Sequence, residues 1–384
     1  MSTTTCLQLQ ELQPPSAATF HRYMFSEASS PSDVITQKEP SPVARSREAR
    51  QRVLLLKTAR EQYTLVHDHT IPSILHPSEI LVKVPRESSR LRVGDIVLVP
   101  STDYRDIRKA TFQEYAIATD FNAARIPSSA SIHASASLGV AFVASVLALG
   151  VSFGLDFSLL PQSPGPNLPQ VISQLDQEDI PADIYDECLP ASVDSAQPQH
   201  GDWIAIWGAS TTTGLVTLQL AKLAGLRVIC VADVARHGAR LIQLGADLLV
   251  DRHDTDRAVE IIRGVTNGKL LYAIDIVGKE TATILERTLD VTGHAHLLGL
   301  TGLPKERNPR IRYHTVPIKL FHTAPTVGES MVRWLEQLLQ SGALTLPEII
   351  HAEGGLEGIN AALATLRSGS VSGKRIVVDL GSSS

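Results

Sequence analysis

From residue 203 onward, continuous apolar runs alternate with stretches of helical period. Trp203-Ile204-Ala205-Ile206-Trp207 is apolar throughout, the texture of a strand covered on both faces. A glycine-bounded turn follows, then Val216, Leu220 and Leu223 recur along one helix face, and Arg227-Val228-Ile229-Cys230-Val231 returns to strand texture. That is a βαβ unit. Further strands predicted at 248–250, 272–276 and 296–300, separated by helical segments, extend it into a doubly wound parallel sheet of the α/β class. Residues 330–341 read as an amphipathic helix and 374–378 as a closing strand.

The first half has a different rhythm. Short β-type runs at 53–56, 79–84 and 96–99, with Leu91-Arg92-Val93-Gly94-Asp95 as a turn, predict a small β-rich domain that continues through Phe112-Gln113-Glu114-Tyr115-Ala116. Residues 138–149 are apolar nearly all round, so this helix is expected to be buried. Residues 1–50 are rich in Ser, Thr, Pro and Ala and cannot bury enough surface to offset their ordering entropy, which predicts a disordered leader. The expected division is a leader (1–50), a β-rich domain (51–150) completed by 327–384, a proline-rich insertion, lid or mobile loop (151–200), and a dinucleotide-binding domain (201–326).

Composition narrows the function classes. With 43% hydrophobic and 20% charged residues in 384, the chain can form a core, and its net charge of −5 leaves no basic stripe for nucleic acid. Cys6, Cys188 and Cys230 are too far apart and too few for a disulfide framework or a structural zinc site, pointing to a reducing, cytoplasmic setting. No apolar run reaches the roughly 20 residues that span a bilayer, so no membrane partner is expected.

The sharpest chemical feature is Gly208-Ala209-Ser210-Thr211-Thr212-Thr213-Gly214, set between a predicted strand and helix. Gly208 permits a tight turn and Gly214 allows close helix–strand packing, while the helix start offers unpaired N–H groups to a pyrophosphate. Ser210 and the three threonines add hydroxyls; they stand where a strict fingerprint has its middle glycine. After the next strand, Asp233 suits the paired ribose hydroxyls of NAD, whereas Arg236 and His237 suit the 2′-phosphate of NADP. A purely structural role for Asp233, as a helix cap, stands beside these two readings.

Together with Gly245-Ala246-Asp247, Ile274-Asp275-Ile276-Val277-Gly278, Leu297-Leu298-Gly299-Leu300 and Val371-Ser372-Gly373-Lys374, these motifs resemble the quinone-oxidoreductase and enoyl-reductase branch of the medium-chain dehydrogenase/reductase superfamily. Within it the chain looks most like fungal stand-alone trans-acting enoyl reductases that serve polyketide synthases. The resemblance covers residues 52–380 and is strongest after 201. It implies a GroES-like β domain, a Rossmann domain, hydride transfer from NADPH, a small-molecule or carrier-bound polyketide-like substrate, a possible polyketide synthase partner, and a monomer or homodimer.

The resemblance also carries over site residues. Gly208 and Gly214 frame the pyrophosphate segment of Ser210, Thr211, Thr212 and Thr213, and Asp233, Arg236 and His237 match the 2′-phosphate segment. Arg252 falls near the adenine, Val277 and Gly278 beside the nicotinamide ribose, Leu298, Gly299 and Leu300 beside the carboxamide, and Val371 and Ser372 at a C-terminal cofactor contact.

The zinc ligands of the metal-dependent members are missing, so no metal is expected; His67, His69, His314 and His322 read as surface or packing residues. Relatives carry several dozen more residues between the positions of Val84 and Leu91, a stretch that supplies part of the nicotinamide and substrate pockets. The alternative reading is therefore a cofactor-binding protein of the same fold with impaired turnover. No catalytic residue stands out: Tyr104, Tyr115 and Tyr313 are candidate proton donors by residue type, and each is expected to be structural.

Overall fold

The computed structural model describes residues 90–92, 94–102, 109, 116, 118–188 and 197–380, and the backbone of three strands before them. In chain order the strands are β1 (Cys6–Leu9), β2 (Ala49–Leu55), β3 (Thr64–Ile71), β4 (Val97–Leu98), β5 (Ala124–Arg125), β6 (Trp203–Trp207), β7 (Arg227–Ala232), β8 (Leu248–Asp251), β9 (Tyr272–Asp275), β10 (Ala295–Gly299), β11 (Ile311–His314), β12 (Ile349–Ala352) and β13 (Arg375–Asp379). The longer helices are α1 (Gly139–Leu147), α2 (Thr212–Leu223), α3 (Val234–Gln243), α4 (Thr255–Val265), α5 (Lys279–Glu286), α6 (Pro325–Ser341) and α7 (Gly355–Arg367). These elements form two compact units, one of Met1–Ser137, Ile349–Val371 and Arg375–Ser384, the other of Leu138–Glu348 and Ser372–Lys374.

In the first unit β13 is the middle of three strands, paired antiparallel to β1 and parallel to β12. α7 lays Leu356, Ile359 and Ala362 against Ile376 and Val378 of β13, a small apolar cluster that also takes in Val371. β2 and β3 form an antiparallel pair with a register shift between Gln51 and Val53, and β4 pairs with β5.

The second unit is built on six parallel strands in the order β11-β10-β9-β6-β7-β8. The chain runs outward from β6 through β7 to β8, returns to the other side of β6 as β9, and continues outward to β11. Its direction of growth therefore reverses between β6 and β9, the switch point at which open α/β sheets bind ligands. Side chains such as Ala205, Ile229, Ala273 and Leu297 are fully buried, as expected for strands covered on both faces. Thr211, Asp233 and Asp254 cap α2, α3 and α4, each accepting a first-turn backbone N–H. This is the doubly wound α/β architecture read from the hydrophobic pattern.

Three boundaries differ from the sequence reading. The second unit begins at Leu138, ahead of both the predicted domain edge near 150 and the dinucleotide-binding domain predicted from 201, because α1 packs on α2. Within that contact the Ser145 hydroxyl lies 2.9 Å from that of Thr217 and donates to the Thr213 carbonyl. The unit also extends past 326 to take in α6, whose buried Met331, Leu335 and Leu338 give it a full apolar face.

In its described residues, 151–188 and 197–200, the proline-rich segment is a packed part of this unit. Phe157, Leu168 and Ile172 are buried, the Phe157 and Trp334 rings lie 4.6 Å apart, and the Trp334 indole N–H donates to the Ser163 carbonyl at 3.1 Å. Proline density masked this because Pro169 sits in the first turn of the short helix Leu168–Ser173, where its missing N–H costs nothing. Likewise Cys6–Leu9, assigned to the leader on composition, pairs with β13 by backbone hydrogen bonds. Residues 49–50 of that leader begin β2; the remainder of it, the runs at 79–84 and 112–115, the stretch 85–89 after Val84, and Tyr104 and Tyr115 lie outside the described residues. Among the described residues no helix is long and apolar enough to cross a membrane.

Candidate active site

The carboxyl edge of the six-stranded sheet gathers most of the residues singled out in the sequence. Gly208–Gly214 follows β6, Asp233–His237 follows β7, Arg252 follows β8, Val277 and Gly278 follow β9, and Leu298–Leu300 closes β10. Five segments spread over 93 positions of sequence, 208 to 300, thus come to one edge.

At the switch point the fit is tight. Gly208 has φ +85°, and a Cβ there would lie 2.7 Å from Val277 Cγ2. A Cβ on Gly214 would lie 2.5 Å from the Gly208 carbonyl oxygen. Only glycine lets the turn bring α2 this close to β6 and β9, as a pyrophosphate cradle at a helix start requires.

The hydroxyls beside it divide. Thr211 is the N-cap of α2: its hydroxyl donates to the Gly208 carbonyl at 2.8 Å and accepts the Gly214 N–H at 3.1 Å. Thr212 and Thr213 are buried in the first turn, at 4% and 5% exposure, whereas Ser210 is half-buried at the turn. Of these four residues Thr212 and Thr213 are thus buried where α2 begins, and the Thr213 carbonyl accepts from the Ser145 hydroxyl of α1.

After β7, Asp233 caps α3, accepting the Arg236 N–H at 3.2 Å, so the capping reading of Asp233 holds alongside any contact with a ribose. Asp251 accepts the Val234 N–H at 3.2 Å, and Asp233, Asp251 and His253 each place a polar atom within 4.8 Å of the others. His253 and the adjacent backbone hold the Asp251 carboxyl below its usual range. Arg236 and Arg252 are exposed beside these acids. The His237 ring lies 2.8 Å from the Ser372 hydroxyl, joining two residues that sequence alone could only place 135 positions apart. Burial there pushes the His237 pKa down. The Val371 side chain is 7% exposed in the apolar cluster of the first unit.

Two groups escaped the sequence reading. Asp275, at the end of β9, is fully buried and accepts the N–H of Val277 at 3.0 Å and of Gly278 at 2.8 Å; burial raises its pKa to about 7. The signal was an acid inside an otherwise apolar strand. The second is a polar chain within the sheet unit: His296 Nδ1 lies 2.9 Å from His314 Nε2, and His314 Nδ1 lies 2.7 Å from Glu187 Oε1. Burial lowers the His296 pKa to about 4, helped by His314 and Arg312. His314 is thus a packing residue.

Tyr313 takes a structural part: its hydroxyl accepts the Asn308 N–H at 2.7 Å, and burial raises its pKa. Cys188 and Cys230 are free and buried, with thiols pushed up to about 12, so neither is a thiolate at neutral pH.

The family model described as zinc-binding dehydrogenase matches residues 212–332. The trans-enoyl reductase mycC of Thermothelomyces thermophilus is 27% identical over 215 residues, covering 49% of this chain and 57% of that one. The chain thus spans less than two thirds of that relative. The trans-enoyl reductase fsa3 of a Fusarium species is 26% identical over 318 residues, 76% of this chain and 78% of the relative. Among solved structures, the CurK enoyl reductase superposes with a TM-score of 0.54 at 16% identity, covering 76% of this chain and 74% of that one. A probable oxidoreductase from Mycobacterium abscessus gives 0.55 at 15% identity over 99% of both chains.

Proposed function

We propose that this chain is a member of the medium-chain dehydrogenase/reductase superfamily, on its enoyl-reductase branch, and a zinc-independent, NADPH-dependent reductase of activated C=C bonds or quinones, a reading supported by the family match over 212–332 and by the trans-enoyl reductase relatives. Its substrate class is a small or carrier-bound polyketide-like enone or enoyl thioester, in fungal secondary metabolism, with a polyketide synthase as candidate partner. The observation that carries this reading is the switch-point crevice, where Gly208, Gly214 and Val277 close to distances that only a glycine turn permits.

The residues present fit a dinucleotide. The start of α2 would hold the pyrophosphate through its first-turn N–H groups, with Ser210 at the turn. Val277 and Gly278 would flank the nicotinamide ribose, Leu298–Leu300 the carboxamide, and Ser372 would join His237 at the adenosine end. When bound, the cofactor supplies a hydride to the electron-poor carbon. The chain's part is to orient it and to keep the reacting end dry.

The adenosine end decides between cofactors. Arg236, His237 and Arg252 favour a 2′-phosphate, whereas Asp233 and Asp251 repel it and favour ribose hydroxyls. We assign the preference to NADPH because a guanidinium is charged at every physiological pH and Arg236 is exposed to meet the phosphate. Fluorescence titration should give a Kd for NADPH at least about tenfold below that for NADH, about 1.4 kcal/mol. Arg236→Ala should erase the difference, and Asp251→Asn should widen it. Equal affinities in the wild type would overturn the NADPH assignment. Absence of turnover with a panel of enones, enoyl thioesters and quinones would overturn the reductase reading.

A further inference from the structure

Asp275 ends β9 between Trp207 of β6 and Gly299 of β10, its partners in register. The backbone around it is fully engaged: Leu300 N–H donates to its carbonyl at 2.8 Å, and Ile276 N–H donates to the Trp207 carbonyl at 3.0 Å. Its side chain has no exposed surface, which is costly for a carboxylate. Oδ1 accepts two consecutive backbone N–H groups, those of Val277 and Gly278. Oδ2 is buried without a well-formed hydrogen bond. The neighbouring Thr281 hydroxyl donates to the Gly278 carbonyl at 2.9 Å, and its proximity, with the two N–H groups, partly offsets the rise that burial gives the Asp275 pKa. The charged group facing this carboxyl is Glu280, whose like charge adds to burial in disfavouring ionisation.

An apolar residue would fill this space without that cost, so what the carboxyl provides is the shape of the turn. The turn it holds carries Val277, the side chain that meets Gly208 across the switch point. We propose that Asp275 is a positioning residue of the dinucleotide seat: its buried carboxyl clamps the Val277–Gly278 turn against Gly208 and so sets the wall on which the cofactor's nicotinamide-ribose end rests. This inference rests on the cofactor reading above. It adds a proton linkage. A bound dinucleotide brings negative charge toward a carboxyl that titrates near neutrality, which raises its pKa further, so binding takes up a proton and weakens as pH rises.

The test compares wild type, Asp275→Asn and Asp275→Ala by NADPH titration from pH 6 to 8, with melting curves and steady-state kinetics beside it. Alanine removes the clamp: the Kd and the KM for NADPH should rise at least about tenfold, with kcat changed by less than about threefold. Asparagine keeps an acceptor for the two N–H groups and cannot ionise. Its Kd at pH 6 should stay within about threefold of wild type, and the wild-type to Asn Kd ratio should rise with pH. Taking this ratio cancels the titration of the cofactor phosphate and of His237. Should the alanine variant bind as tightly as wild type, the positioning role is wrong while the cofactor reading stands; a ratio that stays flat overturns the proton linkage alone. If alanine fails to fold, Asp275→Ser, whose side chain is too short to hold both N–H groups, takes its place in the Kd comparison, with the same outcomes. A wild type that binds neither NADPH nor NADH removes the cofactor reading, and this inference with it.

Discussion

At Gly214 a single hydrogen atom in place of a side chain holds two elements in contact. Gly214→Ala would drive a methyl to 2.5 Å from the Gly208 carbonyl, backbone that cannot swing aside. Such overpacking costs about 1–3 kcal/mol or more, so a lowered melting temperature and a weakened NADPH Kd are expected together. A variant with unchanged melting and binding would show that the crevice is looser than described. Two buried titrating groups pull stability in opposite directions. Asp275 has its pKa raised to about 7, so its contribution to stability is complete below the ordinary carboxylate range and is lost as pH rises through 7. His296 has its pKa lowered to about 4, so its contribution is complete above the ordinary imidazole range and is lost as pH falls toward 4. Between about pH 4 and 6.5 the two slopes oppose. Asp275→Asn should leave stability rising with pH over that window, and His296→Gln should leave it falling. Urea denaturation across pH 4–7 checks both signs.

At the scale of elements, α6 and the proline-rich segment stabilise each other through one side chain. Trp334 is buried, contacts Phe157 and Phe142, and bonds the Ser163 carbonyl. Trp334→Ala should cost about 3–5 kcal/mol and expose 154–188 to limited proteolysis before the sheet is cut. A segment as resistant as in wild type would mean that its other anchors, the Lys319–Asp183 and Glu187–His314 pairs, suffice. The strands and helices from 203 to 299 could be read from periodicity because the buried strands are largely apolar and α2, α3 and α4 each start at a Thr or Asp cap. The segment 154–188 could not, since proline marks both a loop and the first turn of a helix.

At the scale of the whole molecule, five of the expected cofactor segments belong to a unit with its own core, Leu138–Glu348 with Ser372–Lys374. Inserting a relative's longer segment between Val84 and Pro85 should therefore change NADPH affinity little while raising enone or enoyl-thioester reduction by orders of magnitude. Turnover by the unaltered chain on the order of 10 per second would show that the shorter stretch does no damage. The sequence by itself determined the parallel sheet and the glycine turn after β6, because hydrophobic period and glycine spacing act locally along the chain; the cofactor segments at 252, 277–278 and 298–300 were implied by the family resemblance. Only the tertiary structure decided which hydroxyls face inward, that His237 meets Ser372, that Val371 joins the apolar cluster of the first unit, and that Asp275 is a buried clamp. Those outcomes depend on which distant residues pack around a side chain, and burial of a charge or a hydroxyl is a property of that packing, not of its neighbours in sequence.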